Sequence, residues 1–435
     1  MGQKTDFVFD AVGVGIGPFN LSVAALAQPL RELRTRFFDR KKEFRWHPGL
    51  LFPEATIQVS FLKDLVTLVD PKNSYSFLSF LSEHKRLYRF IIANFPRVTR
   101  TEFEQYFQWV CSSLPNLEFG RAVEAISYDG ETLIVEPFQQ QLRTKNVILG
   151  TGLSPIIPEC AQPYIGPTVF HACDYLHQDL ATKGKRVAVI GGGQTGAEVV
   201  YHLLSDGQSA PHQLFWVSRR PNFLPLDESP FSNELFTPSY SDYFFQLSPE
   251  QRMTFLAEQK FLSDGISGEL LEKIYRRMYE LDFLQGGNGL RSLHPGRELI
   301  AVSRDADSWT LTLQDRLSGQ IESLNVNIVI LCTGLEFKIP DFLYPLAGRI
   351  SLEGNNFKVR QDFSIEWDGP DSIKIYAQNA ARHSRGIADP NLSLMAWRSA
   401  TIINSLMGKC VYDIDESSTV FDWHTRHSHA KMEAL

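Results

Sequence analysis

Lys185-Arg186-Val187-Ala188-Val189-Ile190-Gly191-Gly192-Gly193-Gln194-Thr195-Gly196-Ala197-Glu198-Val199-Val200 decides the fold. An apolar strand runs into a complete G-x-G-x-x-G turn, and a helix opens directly after it. Such a turn lets the backbone approach a pyrophosphate while the helix amides and dipole face the anion. Gly191, Gly193 and Gly196 form the cradle, with Gln194 and Thr195 between them. The next strand, 214–218, ends in Arg219-Arg220. An acid there would hold the ribose 2′-hydroxyl of NADH. Arginines suit a 2′-phosphate, so NADPH is the expected ligand. A solvated arginine pair is the plainer alternative, and the missing acid weighs against it.

The same pattern opens the chain. Phe7-Val8-Phe9-Asp10-Ala11-Val12 reads as a buried strand, followed by Gly13-Val14-Gly15-Ile16-Gly17-Pro18 and a helix from about Phe19. Gly13, Gly15 and Gly17 are the cradle glycines. Pro18 stands where the written pattern wants its third glycine. The strand 36–39 ends in Asp39, about two dozen residues after the turn, where an acid can bind adenosine ribose hydroxyls. Two such units predict an α/β protein with two Rossmann-like dinucleotide domains. The apolar runs Asn146-Val147-Ile148-Leu149-Gly150-Thr151-Gly152 and Ile328-Val329-Ile330-Leu331-Cys332-Thr333-Gly334 both close in Thr-Gly turns, as where a chain crosses between two such domains.

Between and after the units, 221–240 is rich in Pro, Ser, Asn and Asp and reads as a long ordered loop. The segment 247–284 has helical periodicity. Strands are expected at 308–314 and 325–332, and a helix at 390–406 entered through a Pro turn. The predicted division is 1–165 with 335–435 for the first dinucleotide domain and 166–225 with 290–334 for the second. A small helical substrate domain fills 226–289.

A chain of 435 residues is too long for one ordinary core. Its net charge of −7 argues against a nucleic-acid binder working through a broad basic face. Cys111, Cys160, Cys173, Cys332 and Cys410 are scattered, odd in number and without a C-x-x-C, so neither a disulfide framework nor a metal site is expected. The N-terminus shows no apolar signal region. Gly2 invites a lipidation reading, but Asp6 stands where Ser or Thr is needed. No run is apolar for long enough to span a bilayer. A cytoplasmic protein is the expectation.

Six segments carry a resemblance. They are Gly15-Ile16-Gly17-Pro18-Phe19-Asn20-Leu21, Trp46-His47-Pro48-Gly49-Leu50, Gln58-Val59-Ser60-Phe61-Leu62-Lys63-Asp64-Leu65, the turn 191–196, Asp227-Glu228-Ser229-Pro230-Phe231-Ser232-Asn233-Glu234, and Asp389-Pro390-Asn391-Leu392-Ser393-Leu394-Met395-Ala396-Trp397-Arg398. In this order, along nearly the whole chain, the sequence resembles the microbial N-hydroxylating flavoprotein monooxygenases of siderophore synthesis. These act on L-lysine, L-ornithine or aliphatic diamines.

The resemblance implies FAD on the first glycine turn, with Trp46 and His47 along the flavin and Gln58 near its reactive ring. It puts Lys63, Asn233 and Ser393 in the substrate pocket, and gives Gln194, Thr195 and Arg219 to NADPH. In isolation, Lys63 reads as a surface lysine paired with Asp64, and Ser393 as a satisfied core hydroxyl. The implied reaction oxygenates a terminal primary amine with O2 through a C4a-hydroperoxyflavin. No side-chain nucleophile and no metal are then required, because the cofactor carries the chemistry. Ser263-Asp264-Gly265-Ile266 leans towards the lysine and diamine branch. Asn233 and 389–391 lean towards putrescine or cadaverine, with L-lysine as the alternative substrate. Homo-oligomers, tetramer or dimer, are common in that family.

Rivals fare worse. Carbon- and sulfur-oxidising relatives need F-x-G-x-x-x-H, but Phe170 is followed by Ala172 and Leu176 at those places. A disulfide reductase needs paired cysteines. A non-catalytic flavin- and NADPH-binding redox sensor is the remaining alternative.

Overall fold

Two sheets with parallel cores carry the architecture, each grown around one glycine turn. The computed structural model describes residues 4–205, 210–285, 291–415 and 419–423. Gly2 and residues 286–290, at the expected end of the helical segment, lie outside these.

The first sheet runs in the order Leu117–Phe119, Thr35–Asp39, Lys4–Val14, Gln141–Leu149, Leu133–Pro137, Val123–Tyr128. Lys374–Ala377 pairs in parallel with Gln141–Leu149. Side chains alternate across a strand, and this splits neighbours between two cores. Ala11, Phe37 and Ile148 face a core rich in aromatics, including Phe77, Phe103 and Phe107. Val12, Phe38 and Val147 face the opposite core. Helices Pro18–Ala27 and Met395–Met407 cover the aromatic side.

The second sheet is wholly parallel, in the order Arg291–Pro295, Gln213–Ser218, Arg186–Ile190, Ile328–Leu331, Val169–His171. Val187, Val189 and Trp216 pack on helix Gln194–Ser205. Ala188, Ile190 and Val217 pack on an antiparallel sheet of Arg297–Asp305, Ser308–Asp315 and Ile321–Val326. The stretch 325–332, expected as one strand, is therefore two strands in different sheets. Asn327 makes the break: its N–H donates to the Arg186 carbonyl at 2.8 Å, and its Oδ1 accepts the Arg186 N–H at 2.9 Å.

The expected loop 221–240 is also shorter than read. Helix Pro230–Asn233 and helix Pro238–Gln246 interrupt it. Ser229 and Thr237 cap them by accepting the N–H groups of Ser232 and Tyr240, and each cap is followed by proline at the first helical position. There proline's missing N–H costs nothing.

The segment 247–284 is helical, as Pro249–Glu258, Lys260–Ser263, Gly268–Tyr279 and a π-helical turn Glu280–Leu284. Among the described residues it has no separate buried cluster: Ile266 and Ile274 join the core of the second sheet.

The chain leaves the first sheet after Leu149 and returns to it after Leu331. Its two crossings pair, Ser154–Pro155 running antiparallel to Leu335–Glu336. The Ile156 N–H also donates to the Gly334 carbonyl at 3.0 Å. Among the described residues no helix is long and apolar enough to cross a membrane.

Candidate active site

The two glycine turns are built alike. Gly15 has φ +88°, and a Cβ there would stand 2.4 Å from the Gly150 carbonyl oxygen. Gly191 has φ +140°, and its Cβ would stand 2.1 Å from the Cys332 carbonyl oxygen. Each turn is thus pressed against the chain beside one of the two Thr-Gly turns, and only glycine satisfies both conformation and space. Gly13 and Gly17 complete the first turn. Pro18 opens its helix at the first position, which accounts for the missing third glycine. These backbone cradles at helix N-termini fit two dinucleotides.

Asp39 supports the first turn directly. Its Oδ2 accepts the Ile16 N–H at 2.8 Å and its Oδ1 the Lys41 N–H at 2.8 Å. A carboxylate with two acceptors filled keeps lone pairs for ribose hydroxyls. Asn20, which motif reading passed over, is fully buried. Its Nδ2 donates towards the carbonyls of Val14, Gly15 and Ile148 at 3.2, 2.8 and 3.2 Å, and its Oδ1 accepts from Gln378 at 2.7 Å. The only sequence signal was an amide in the first turn of a mostly apolar, buried helix.

At the second turn, Gly193 leads into helix Gln194–Ser205, Thr195 lies in its first turn, and Gly196 packs on the Gly191 carbonyl. Two side chains here are already engaged. Arg220 is committed to the protein: Nη1 donates to the carbonyls of Gly192 at 3.2 Å and Asp264 at 2.7 Å, and the guanidinium lies over Phe261. It braces the turn through that one nitrogen. Arg219 is 68% exposed, with its nearest acid Glu298 at 3.7 Å. Gln194 is likewise occupied. Its Nε2 donates to Glu198 at 2.9 Å and its Oε1 accepts the Ser267 N–H at 2.9 Å.

The Trp46–Leu50 turn lies where the units meet. Its Gly49 packs under the Cys173 carbonyl of the second unit. The Trp46 N–H donates to Glu104 at 2.9 Å, and its indole packs on Phe103 and Phe107. His47 adopts a left-handed φ of 50°. The residue is exposed overall, yet desolvation of its imidazole by the surrounding protein, together with the charges of Arg100 and Lys41, pushes it down to about 4. Gln58 is half-buried in the loop beyond, where the Ile57 N–H donates to the Val98 carbonyl. A cleft of about 180 Å³ between the units is lined by Phe52, Glu54, Gln194, Glu198, Tyr201 and Lys273. None of Lys63, Asn233 or Ser393 lines it, so it is separate from the expected substrate pocket.

Lys63 and Ser393 come together across 330 residues, Nζ donating to Oγ at 2.9 Å. Ser393 is fixed in turn by Asn391, whose Oδ1 accepts its N–H at 2.8 Å and its hydroxyl at 2.7 Å. Burial lowers the Lys63 ammonium from its ordinary range. The alternative surface pair of Lys63 with Asp64 is overturned. Asp64 is buried and accepts the N–H groups of Val66, Thr67 and Phe77 at 2.9, 2.7 and 2.7 Å. Asn233 is exposed on its short helix, and its hydrogen bonds run to Ser229 and Glu228. It stays outside the Lys63–Ser393 set.

The model of the L-lysine 6-monooxygenase/L-ornithine 5-monooxygenase family matches residues 7–337. The chain belongs to that family. Membership sets aside the non-catalytic sensor and makes the protein an amine N-monooxygenase. Among family relatives, L-lysine N6-monooxygenase of Escherichia coli is 39% identical over 96% of this chain and 98% of its own. Putrescine N-hydroxylase of Acinetobacter baumannii is 35% identical over 95% of this chain and 93% of its own. Among solved structures, the FAD-bound cadaverine monooxygenase of desferrioxamine biosynthesis from Erwinia amylovora superposes with a TM-score of 0.91. It is 31% identical and covers 97% of this chain and 100% of its own.

Proposed function

We propose that this chain uses FAD on the turn 13–18 and NADPH on the turn 191–196 to hydroxylate a terminal aliphatic primary amine. Its place would be in hydroxamate siderophore synthesis. The observation that carries this is the pair of matched cradles in one chain, with Gly49 of the Trp46–Leu50 turn packed on Cys173 of the second unit. When bound, FAD activates O2 and NADPH provides the electrons. The protein's work is to bind, orient and exclude water. Asn20 and Asp39 fix the first cradle, Arg220 and Gln194 fix the second, and Arg219 meets the 2′-phosphate. Trp46, His47 and Gln58 wall the flavin site. The assigned domain limits, 1–165 with 335–435, 166–225 with 290–334, and 226–289, belong to this proposal, as do a cytoplasmic location and a homo-oligomer.

Two substrate classes stay in the proposal. Putrescine and cadaverine follow the Acinetobacter and Erwinia relatives. The geometry favours L-lysine, because Lys63 offers a cation that, among the described residues, has no acid hydrogen-bonded to it, and a carboxylate can use that cation. A diamine would instead need an anion for its second ammonium. Asp389, the one acid in the 389–398 segment, is spent on the Arg398 guanidinium and the Ala381 N–H. The deciding experiment measures hydroxylamine product, coupled to NADPH consumption, for L-lysine, L-ornithine, putrescine and cadaverine. No product from any of the four would end this reading.

A further inference from the structure

We propose that Arg316, on the hairpin between Ser308–Asp315 and Ile321–Val326, forms with Arg219 a two-arginine clamp for the 2′-phosphate of NADPH. Glu298 is its built-in anionic competitor. The inference rests on the NADPH reading of the second cradle and adds to it a residue distant in sequence from the nucleotide fold.

The placement follows from backbone pairing. Gln213–Ser218 and Arg291–Pro295 run in parallel, with Ser218 opposite Pro295, so Arg219 and Gly296 leave the same edge of the sheet together. The Gly296 N–H donates to the Arg220 carbonyl at 2.6 Å, and the Gly296 carbonyl accepts the Arg316 N–H at 2.9 Å. Arg316 is therefore tied through one residue to the end of the strand that presents Arg219. Its own turn is fixed, because Asp315 Oδ1 accepts the N–H groups of Leu317 and Ser318, both at 2.8 Å.

The side chains then meet on one carboxylate. Arg219 Nη1 lies 3.7 Å from Glu298 Oε1, and Arg316 Nε lies 3.6 Å from Glu298 Oε2. Both distances exceed hydrogen-bond length, and the two arginines are 68% and 57% exposed. Exposed pairs this loose contribute little to stability. Two guanidinium groups converging on a pair of anionic oxygens are, however, the arrangement that binds phosphate strongly. Nearby arginines are otherwise engaged: Arg220 holds main-chain carbonyls, and Arg297 holds Asp315 and Glu322.

The test is equilibrium binding of adenosine 2′,5′-bisphosphate and of 5′-AMP to the FAD-loaded enzyme by titration calorimetry, alongside the NADPH-over-NADH preference. R316A and R219A are each expected to weaken the bisphosphate by roughly tenfold and to lower the NADPH preference similarly. The affinity for 5′-AMP should shift by less than about twofold. E298Q is expected to tighten the bisphosphate. If R219A weakens the bisphosphate and R316A does not, the clamp is wrong while the NADPH reading stands. If the parent enzyme does not prefer the bisphosphate to 5′-AMP, the NADPH reading itself falls and takes the clamp with it.

Discussion

Arg100 donates hydrogen bonds of 2.9 and 2.7 Å to the two carboxylate oxygens of Glu198, gripping the helix that follows the second glycine turn from the first unit. The pair is largely buried, with side chains 17% and 7% exposed, and Glu198 also holds Gln194. Removing one partner of such a pair strands the other. Arg100→Ala should cost about 3 kcal/mol, the low end for a buried pair. It should also slow reduction of the bound flavin by NADPH. Calorimetry of the FAD-loaded protein and stopped-flow absorbance give the two readouts, and an unaltered melting transition would show that the pair does not hold the units.

Lys63→Ala tests the substrate reading. It removes the cation that Ser393 presents. KM for L-lysine should rise by roughly tenfold or more, the scale of one charge-assisted bond, while putrescine and cadaverine are affected less. The measurement is coupled hydroxylamine formation. A larger loss with the diamines would reverse the role given to Lys63.

Asn20→Asp keeps the shape but removes the donors that meet three carbonyls. Leaving buried acceptors unpaired and adding an acid should destabilise the fold by about 2 kcal/mol or more. It should also lower the flavin-to-protein absorbance ratio of purified enzyme. Full flavin retention would mean that the glycine turn holds its shape without the clamp.

His47 sets a pH dependence. Its folded-state value of about 4 lies below the unfolded value of about 6.5. Between these limits the unfolded chain binds the extra proton, so stability rises with pH through the window and is complete above it. Acidification from pH 6.5 towards 4 should therefore destabilise the protein, and His47→Gln should flatten that part of the curve. Melting temperatures at half-unit pH steps provide the check. Superimposable profiles would remove His47 from the titration.

Local features were legible in the sequence. Both glycine turns, their flanking strands and the later helices follow from short-range pattern, because each depends on residues within a few positions. Pro230 and Pro238 misled because the same residue opens helices and builds loops, and capping serines and threonines decide between them. Asn327 was invisible as a break because its immediate neighbours, Val326 and Ile328, are both apolar and β-branched. The site was legible in residue type more than in partnership. Arg220 had the right chemistry for phosphate, but its carbonyl partners at Gly192 and Asp264 come from the fold. The Lys63–Ser393 contact spans 330 positions, and no local pattern encodes it.

The ribbon formed by Ser154–Pro155 and Leu335–Glu336 makes the second unit an insertion with adjoining ends. Both covalent tethers enter and leave at one stem, so turning this unit against the first must twist a single two-leaf hinge. The same stem offers natural cut points: a nicotinamide-binding module from a relative can be exchanged at two neighbouring junctions, leaving the flavin half's strand order intact.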